Sequence, residues 1–197
     1  MDLQISVFLL FILFTAGHSF SCYVCSNLGD SCADQKLKTC PSGSSKCISL
    51  TVASQRQISV NMKMKECAVD CRSGSMNVGI SKVSFSCCNT DQCNVQDVPD
   101  PPNIPNGMKC FSCDGQTCSN TVSCSGSEDR CIKAKGSDGD QSIDVKGCVS
   151  KSICDSTFIP NVQNITCCAG NLCNGAQSVT QSVLFLCCSL LSYFLMH

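Results

Sequence analysis

The sequence predicts an all-β, small, disulfide-rich fold repeated in two tandem domains, and three observations carry that prediction. Cysteine supplies 22 of 197 residues, a density that reads as a disulfide scaffold rather than as a metal or catalytic set. The stretch "SFSCCNTDQCN" at 84–94 returns as "NITCCAGNLCN" at 164–174, which marks an internal duplication. Apolar residues alternate with polar ones at a period of two, and no helical periodicity of any length is present.

The chain opens with "ISVFLLFILFTAG" (Ile5–Gly17), an apolar run of export-signal length followed by small residues. Residues 1–19 are therefore expected to be a signal peptide cleaved after Ser19, with Gly17 as the alternative, although the start "MDLQ" carries Asp2 and no basic residue. Twenty downstream cysteines fit the oxidising compartment that such a signal leads to.

Residues 20–94 form the first expected domain. Cys22, Cys25, Cys32, Cys40, Cys47, Cys67, Cys71, Cys87, Cys88 and Cys93 open with C-x-x-C and close with CC-x4-C-N. "CISLTV" (47–52) and "ISVNMKM" (58–64) alternate, with Ile48, Leu50 and Val52 on one face of the first and Ile58, Val60, Met62 and Met64 on one face of the second. The polar tip "ASQRQ" between them makes a hairpin. Residues 95–109 hold four of the six prolines (Pro99, Pro101, Pro102 and Pro105) and read as a stiff, extended linker spacing two separately stapled units.

The second expected domain, 110–174, repeats the plan with Cys110, Cys113, Cys118, Cys124, Cys131, Cys148, Cys154, Cys167, Cys168 and Cys173. "CIKAK" (131–135) and "QSIDVKGC" (141–148) flank a turn signal at Asp138-Gly139. The cysteine-bounded units Cys22–Asn94 and Cys110–Asn174, 73 and 65 residues long, bury thin cores, and five bridges each, at roughly 2–4 kcal/mol apiece, supply the missing stability. Spacing alone leaves the pairing open, because eight cysteines already allow on the order of a hundred connectivities.

Residues 175–197 bring small residues, a polar stretch Gln177–Ser182 and an apolar tail Val183–Met196 containing the leftover Cys187 and Cys188. That order is expected of a glycosylphosphatidylinositol (GPI) attachment signal that is itself removed. This tail of fourteen residues, Ser189 and Ser192 among them, falls short of the roughly 20 apolar positions that a spanning helix needs. Asn174-Gly175-Ala176 is the preferred attachment triplet, with lipid on Asn174, and Ser178 is the alternative.

Chemistry is scarce. Both histidines, His18 and His197, fall in segments expected to be removed, so a serine nucleophile would have no histidine base; no enzyme activity and no cofactor are expected. The C-x-x-C pairs admit a zinc or redox reading, but every member belongs to a ten-cysteine pattern, so no metal is expected. Asp138, Asp140 and Asp144 lack the glycine placement and terminal glutamate of a calcium loop and read as a solvated tip. Formal net charge is −1, with eight basic against five acidic residues in the first domain and five against seven in the second. No basic field points to nucleic acid. Asn164-Ile165-Thr166 is the one glycosylation sequon, on Asn164.

Ten cysteines opening C-x-x-C and closing CC-x4-C-N, twice, resemble the lymphocyte antigen 6/urokinase receptor domain, the three-finger fold shared with snake neurotoxins. The resemblance covers Cys22–Asn94 and Cys110–Asn174. It implies the pairs Cys22–Cys47, Cys25–Cys32, Cys40–Cys67, Cys71–Cys87 and Cys88–Cys93, then Cys110–Cys131, Cys113–Cys118, Cys124–Cys148, Cys154–Cys167 and Cys168–Cys173. It also implies that the side-chain amides of Asn94 and Asn174 tie each neck together. The adjacent cysteines then point to opposite sides of one strand, which makes the repeated phrase a structural clasp.

The expected function is recognition at the outer face of the plasma membrane: a GPI-anchored protein that binds an extracellular protein ligand through its finger tips. The tips are Ala53–Gln57, Ser73–Ile80, Gly136–Asp140 and Asp155–Val162. The alternative is a secreted two-domain inhibitor resembling the serum phospholipase inhibitors, which lack such a tail.

Overall fold

The computed structural model describes residues 20–29, 31–54, 61–138, 141–156 and 162–175. The first half carries β1 (Ser21–Leu28), β2 (Lys36–Thr39), β3 (Lys46–Ser54), β4 (Asn61–Ala68), β5 (Gly74–Asn77) and β6 (Ser81–Cys88). The second carries β7 (Pro105–Ser112), β8 (Asn120–Ser125), β9 (Arg130–Asp138), β10 (Gln141–Val149), the single-turn helix α1 (Lys151–Cys154) and β11 (Val162–Cys168). The alternating runs at 47–52 and 131–135 lie in β3 and β9, and 141–148 lies in β10. Ile58 to Val60 and the tip 55–57 fall outside the described residues. A four-residue helix is too short for a 3.6 period to register in sequence.

Ten disulfides hold the two halves: Cys22–Cys47, Cys25–Cys32, Cys40–Cys67, Cys71–Cys87 and Cys88–Cys93 in the first, and Cys110–Cys131, Cys113–Cys118, Cys124–Cys148, Cys154–Cys167 and Cys168–Cys173 in the second. The clasp at the end of each half is built the same way. Asn94 is buried; its Oδ1 accepts Tyr23 N–H (2.9 Å) and its Nδ2 donates to Tyr23 O (2.8 Å). Asn174 is likewise buried, accepting from Phe111 N (2.9 Å) and donating to Phe111 O (2.9 Å) and Ile132 O (2.8 Å). Three positions before each Asn the repeat differs in residue but not in role. Asp91 accepts Ser21 N–H at 2.7 Å, and Asn171 accepts Lys109 N–H at 2.8 Å. The next residue takes a positive φ in both, Gln92 at 55° and Leu172 at 58°.

Among the described residues nine strands form one sheet in the order β11-β9-β10-β5-β6-β3-β4-β1-β2, and β7-β8 form a separate pair. The large sheet therefore crosses from one half to the other. Antiparallel pairing joins β5 to β10 at Asn77–Cys148 and Met76–Val149. The apolar layer crosses with it: Ile48, Leu50, Met76, Val83 and Phe85 of the first half form one buried cluster with Ile132, Ala134, Val149 and Ile153 of the second. Each half keeps its own five disulfides, and the two also share this apolar layer, which neither completes alone.

Within the expected linker, residues 95–103 lie across the polar face of the first half, and residues 105–109 belong to β7. The Val98 carbonyl accepts from Thr51 Oγ1 (2.7 Å) and Lys63 Nζ (3.3 Å), and the Val95 carbonyl accepts from Lys65 Nζ (2.7 Å). Asn103 Oδ1 accepts from Lys82 Nζ at 2.8 Å. Proline lacks a donor but leaves every carbonyl of such a segment free to accept. Lys63, Lys65 and Lys82 are all buried beneath the strap, with their stems along the sheet and their ammonium groups on its carbonyls.

Candidate recognition surface at the junction of the two halves

The junction is made by small residues. Ser75 N–H donates to Ser150 Oγ at 2.9 Å, and Ser150 N–H donates to Ser75 O at 2.9 Å. Ser152 Oγ donates to Ser73 O at 2.7 Å, and Asn77 Nδ2 to Ser123 O at 3.2 Å. Two glycines let the backbones meet. A Cβ on Gly147 would run into the Asn77 carbonyl, and one on Gly74 would sit 2.9 Å from Ser150 Cβ and from Ser152 Oγ. Ser73–Ile80, expected as a free finger tip, is therefore largely consumed in joining the halves. Of the other expected tips, 55–57, 139–140 and 157–161 lie outside the described residues.

A carboxylate is buried at this junction. Glu128 has no exposed surface; its Oε2 accepts Ser125 N–H at 2.8 Å, while Oε1 has no partner. Burial pushes its carboxyl above the ordinary value, against the pull of the Ser125 N–H, the neighbouring Ser75 hydroxyl and the Lys82 charge. Ser75 Oγ lies near it without forming a bond of good geometry, and it too lacks a partner. Sequence reading passed over Glu128, because nothing local distinguishes it from a surface carboxylate.

Beside the junction a groove of about 350 Å³ opens between Val78 and Ile80 of the first half, the small Cys113–Cys118 loop, and residues 142–146 of β10. The loop is held by Asp114, whose Oδ1 accepts Gln116 N–H (2.8 Å) and Thr117 N–H (2.7 Å) and whose Oδ2 accepts from Asn120 Nδ2 (2.8 Å). Those bonds, the Thr117 N–H first, bring its carboxyl down to about 2. Across the groove, the bond from Lys135 and its charge hold the Asp144 carboxyl below the ordinary value, with Lys135 Nζ at 2.8 Å. Asp144 thus belongs to an ion pair, and Asp138 and Asp140 supply no described side chain beside it.

Two sulfur trios, Cys22-Cys40-Cys67 and Cys110-Cys124-Cys148, are compact enough for a single ion. All six sulfurs are in disulfides, so none has a thiolate to offer. Asn164 is exposed on β11, at a bulge where its φ is 53°. Among the described residues no helix is long and apolar enough to cross a membrane.

Comparison with known proteins follows the same division. Residues 18–96 match the u-PAR/Ly-6 domain, and residues 108–174 match the snake toxin and toxin-like protein family. The urokinase plasminogen activator surface receptor of Rattus norvegicus is 29% identical over 212 residues, covering 90% of this chain and 62% of the receptor. The same receptor from Bos taurus is 34% identical over 103 residues, 45% of this chain and 31% of the receptor. This chain thus spans less than two thirds of those receptors. Phospholipase A2 inhibitor CNF of Crotalus durissus terrificus is 31% identical over 178 residues, covering 79% of this chain and 88% of the inhibitor. With each half matched in turn and an inhibitor aligned along most of both chains, the protein belongs to the u-PAR/Ly-6 family and carries two of its domains in tandem.

Proposed function

We propose that the chain is a non-catalytic recognition protein, held at the outer face of the plasma membrane by a GPI anchor, that binds an extracellular protein ligand. The observation that carries this reading is the pairing of a disulfide-stapled recognition scaffold with the small–polar–apolar order of residues 175–197. The likeness to surface receptors supports it. Asn174 is engaged through its whole side-chain amide inside the second neck. A transamidating enzyme needs an accessible segment, so attachment at Asn174 would require this neck contact to loosen; Ser178 is the alternative attachment residue. A glycan on Asn164 would stand on exposed β11, away from the junction groove.

The test is surface staining of expressing cells before and after phosphatidylinositol-specific phospholipase C. Release into the medium is expected. A protein that reaches the medium with Val183–Met196 still attached would replace this reading with the second one, a secreted inhibitor. That second reading rests on one observation, the alignment along 88% of a phospholipase A2 inhibitor, and phospholipase A2 would then be the first enzyme to assay.

A further inference from the structure

The pairing that joins the two halves stops after two residues. β5 ends at Asn77, where Val78 N–H turns back to Ser81 O (3.0 Å) and Gly79 takes a φ of 85°. β10 continues to Gln141 with β9 along one side. Among the described residues no strand pairs with the other edge of 141–147. Ser150 N–H points from that edge to Ser75 O. Outward-directed residues recur every second position in an antiparallel ladder, so the same row continues through Cys148 to Lys146, Asp144 and Ser142. Their backbone groups face the groove lined by Val78, Ile80, Ile143 and Val145.

The duplication shows what occupies this edge when it is filled. β4 is the counterpart of β10, with Cys67 standing where Cys148 stands. Its edge is covered by β1, which pairs Cys25, Ser26, Asn27 and Leu28 with Lys65, Met64, Lys63 and Met62. In the second half the corresponding strand, β7, pairs with β8 alone among the described residues. Its small disulfide loop stands on the far wall of the groove. The same position in the same module thus takes an antiparallel strand in one copy and is open in the other.

We propose that the edge of β10 at residues 142–146 is a docking site for an extended segment of a partner protein. The segment adds as a strand, continues the row begun by β5, and lays alternate apolar side chains on Ile143, Val145, Val78 and Ile80. Main-chain bonds supply the affinity and the apolar wall supplies the side-chain preference. The proposal deepens the recognition reading by naming the ligand's form. It fails separately, since a partner that binds elsewhere would leave that reading intact.

The test uses random heptapeptides displayed on phage and selected on the protein as processed by mammalian cells, with binding of a synthesised selected peptide then measured. The expected peptides carry apolar residues at alternate positions and slow the exchange of the amides of Ser142, Asp144 and Lys146. N-methylating two alternate residues of the peptide should lower its affinity at least tenfold, whereas methylating the intervening pair should leave it nearly unchanged. Lys146→Pro, which deletes one outward N–H at an edge, should weaken binding comparably while β9 amides stay protected. Failure to enrich any peptide, equal effects of both methylation patterns, protection confined to other surfaces, or amides at 142, 144 and 146 already protected in the free protein would each overturn the proposal.

Discussion

Glu128 and Asp114 are two carboxylates of one small domain whose surroundings drive them in opposite directions. Glu128 is buried with one oxygen unpaired, so its folded-state value is raised above 4.5. A raised carboxyl contributes stability below its unfolded value and loses it as pH rises through the folded one. At neutral pH that contribution is diminished or lost, so keeping this carboxyl buried costs stability there. Glu128→Gln should therefore raise the thermal midpoint at pH 7 and should give no gain at pH 4. An equal effect at both pH values would remove charge burial as the cause. Asp114 is fully exposed and held at about 2 by the loop's own N–H groups. Its contribution is present above 3.8 and fades as pH falls through about 2. Carbon-13 titration of its carboxyl should find that midpoint, and Asp114→Ala should speed exchange of the Gln116 and Thr117 amides.

The strap and the junction strands are held by groups whose loss should have unequal consequences. Lys65 is 2% exposed and serves Asp97 (2.9 Å), Gln35 Oε1 (2.7 Å) and the Val95 carbonyl (2.7 Å). Burial works against the Asp97 carboxylate, but the bonds from Lys65 and Cys32 N–H and the lysine charges outweigh it and hold its value low. Lys65→Ala strands these acceptors and should cost roughly 2–4 kcal/mol in chemical denaturation. Lys38→Ala removes only an exposed pair with Glu66 and should stay within about 0.5 kcal/mol. The alternation of "NMKMKE" made the lysine face of β4 legible in sequence, but lysines on a strand face ordinarily meet water. Their burial depends on a proline-rich segment some thirty residues away. β5 was not legible as a partner of β10 for a related reason: four residues, Gly-Ser-Met-Asn, carry no period to read. Its bond to Ser150 joins two common serines 75 positions apart. By contrast, the strands of the hairpins announced themselves through their alternation. The cysteine pairs and the neck asparagines could be named only through the resemblance, because spacing does not choose among connectivities.

Joining the halves through one sheet, one apolar layer and a strap changes what the molecule presents to a partner. Two modules on a free rod would offer independent finger tips; a joined pair offers a fixed groove between them. Gly147→Val, which drives a side chain into the Asn77 carbonyl, should open the junction while the ten disulfides keep each module folded. Limited proteolysis should then cut residues 95–104 faster than in the unaltered protein. The measurement that bears most directly on the joined unit is amide hydrogen exchange on the intact, non-reduced protein. The joined arrangement predicts that the Ser75 and Ser150 amides are protected as strongly as those of Leu50 and Ile132, in the centres of the two modules. Rapid exchange at Ser75 and Ser150 with both centres still protected would contradict it, and would return the protein to two recognition modules that move apart.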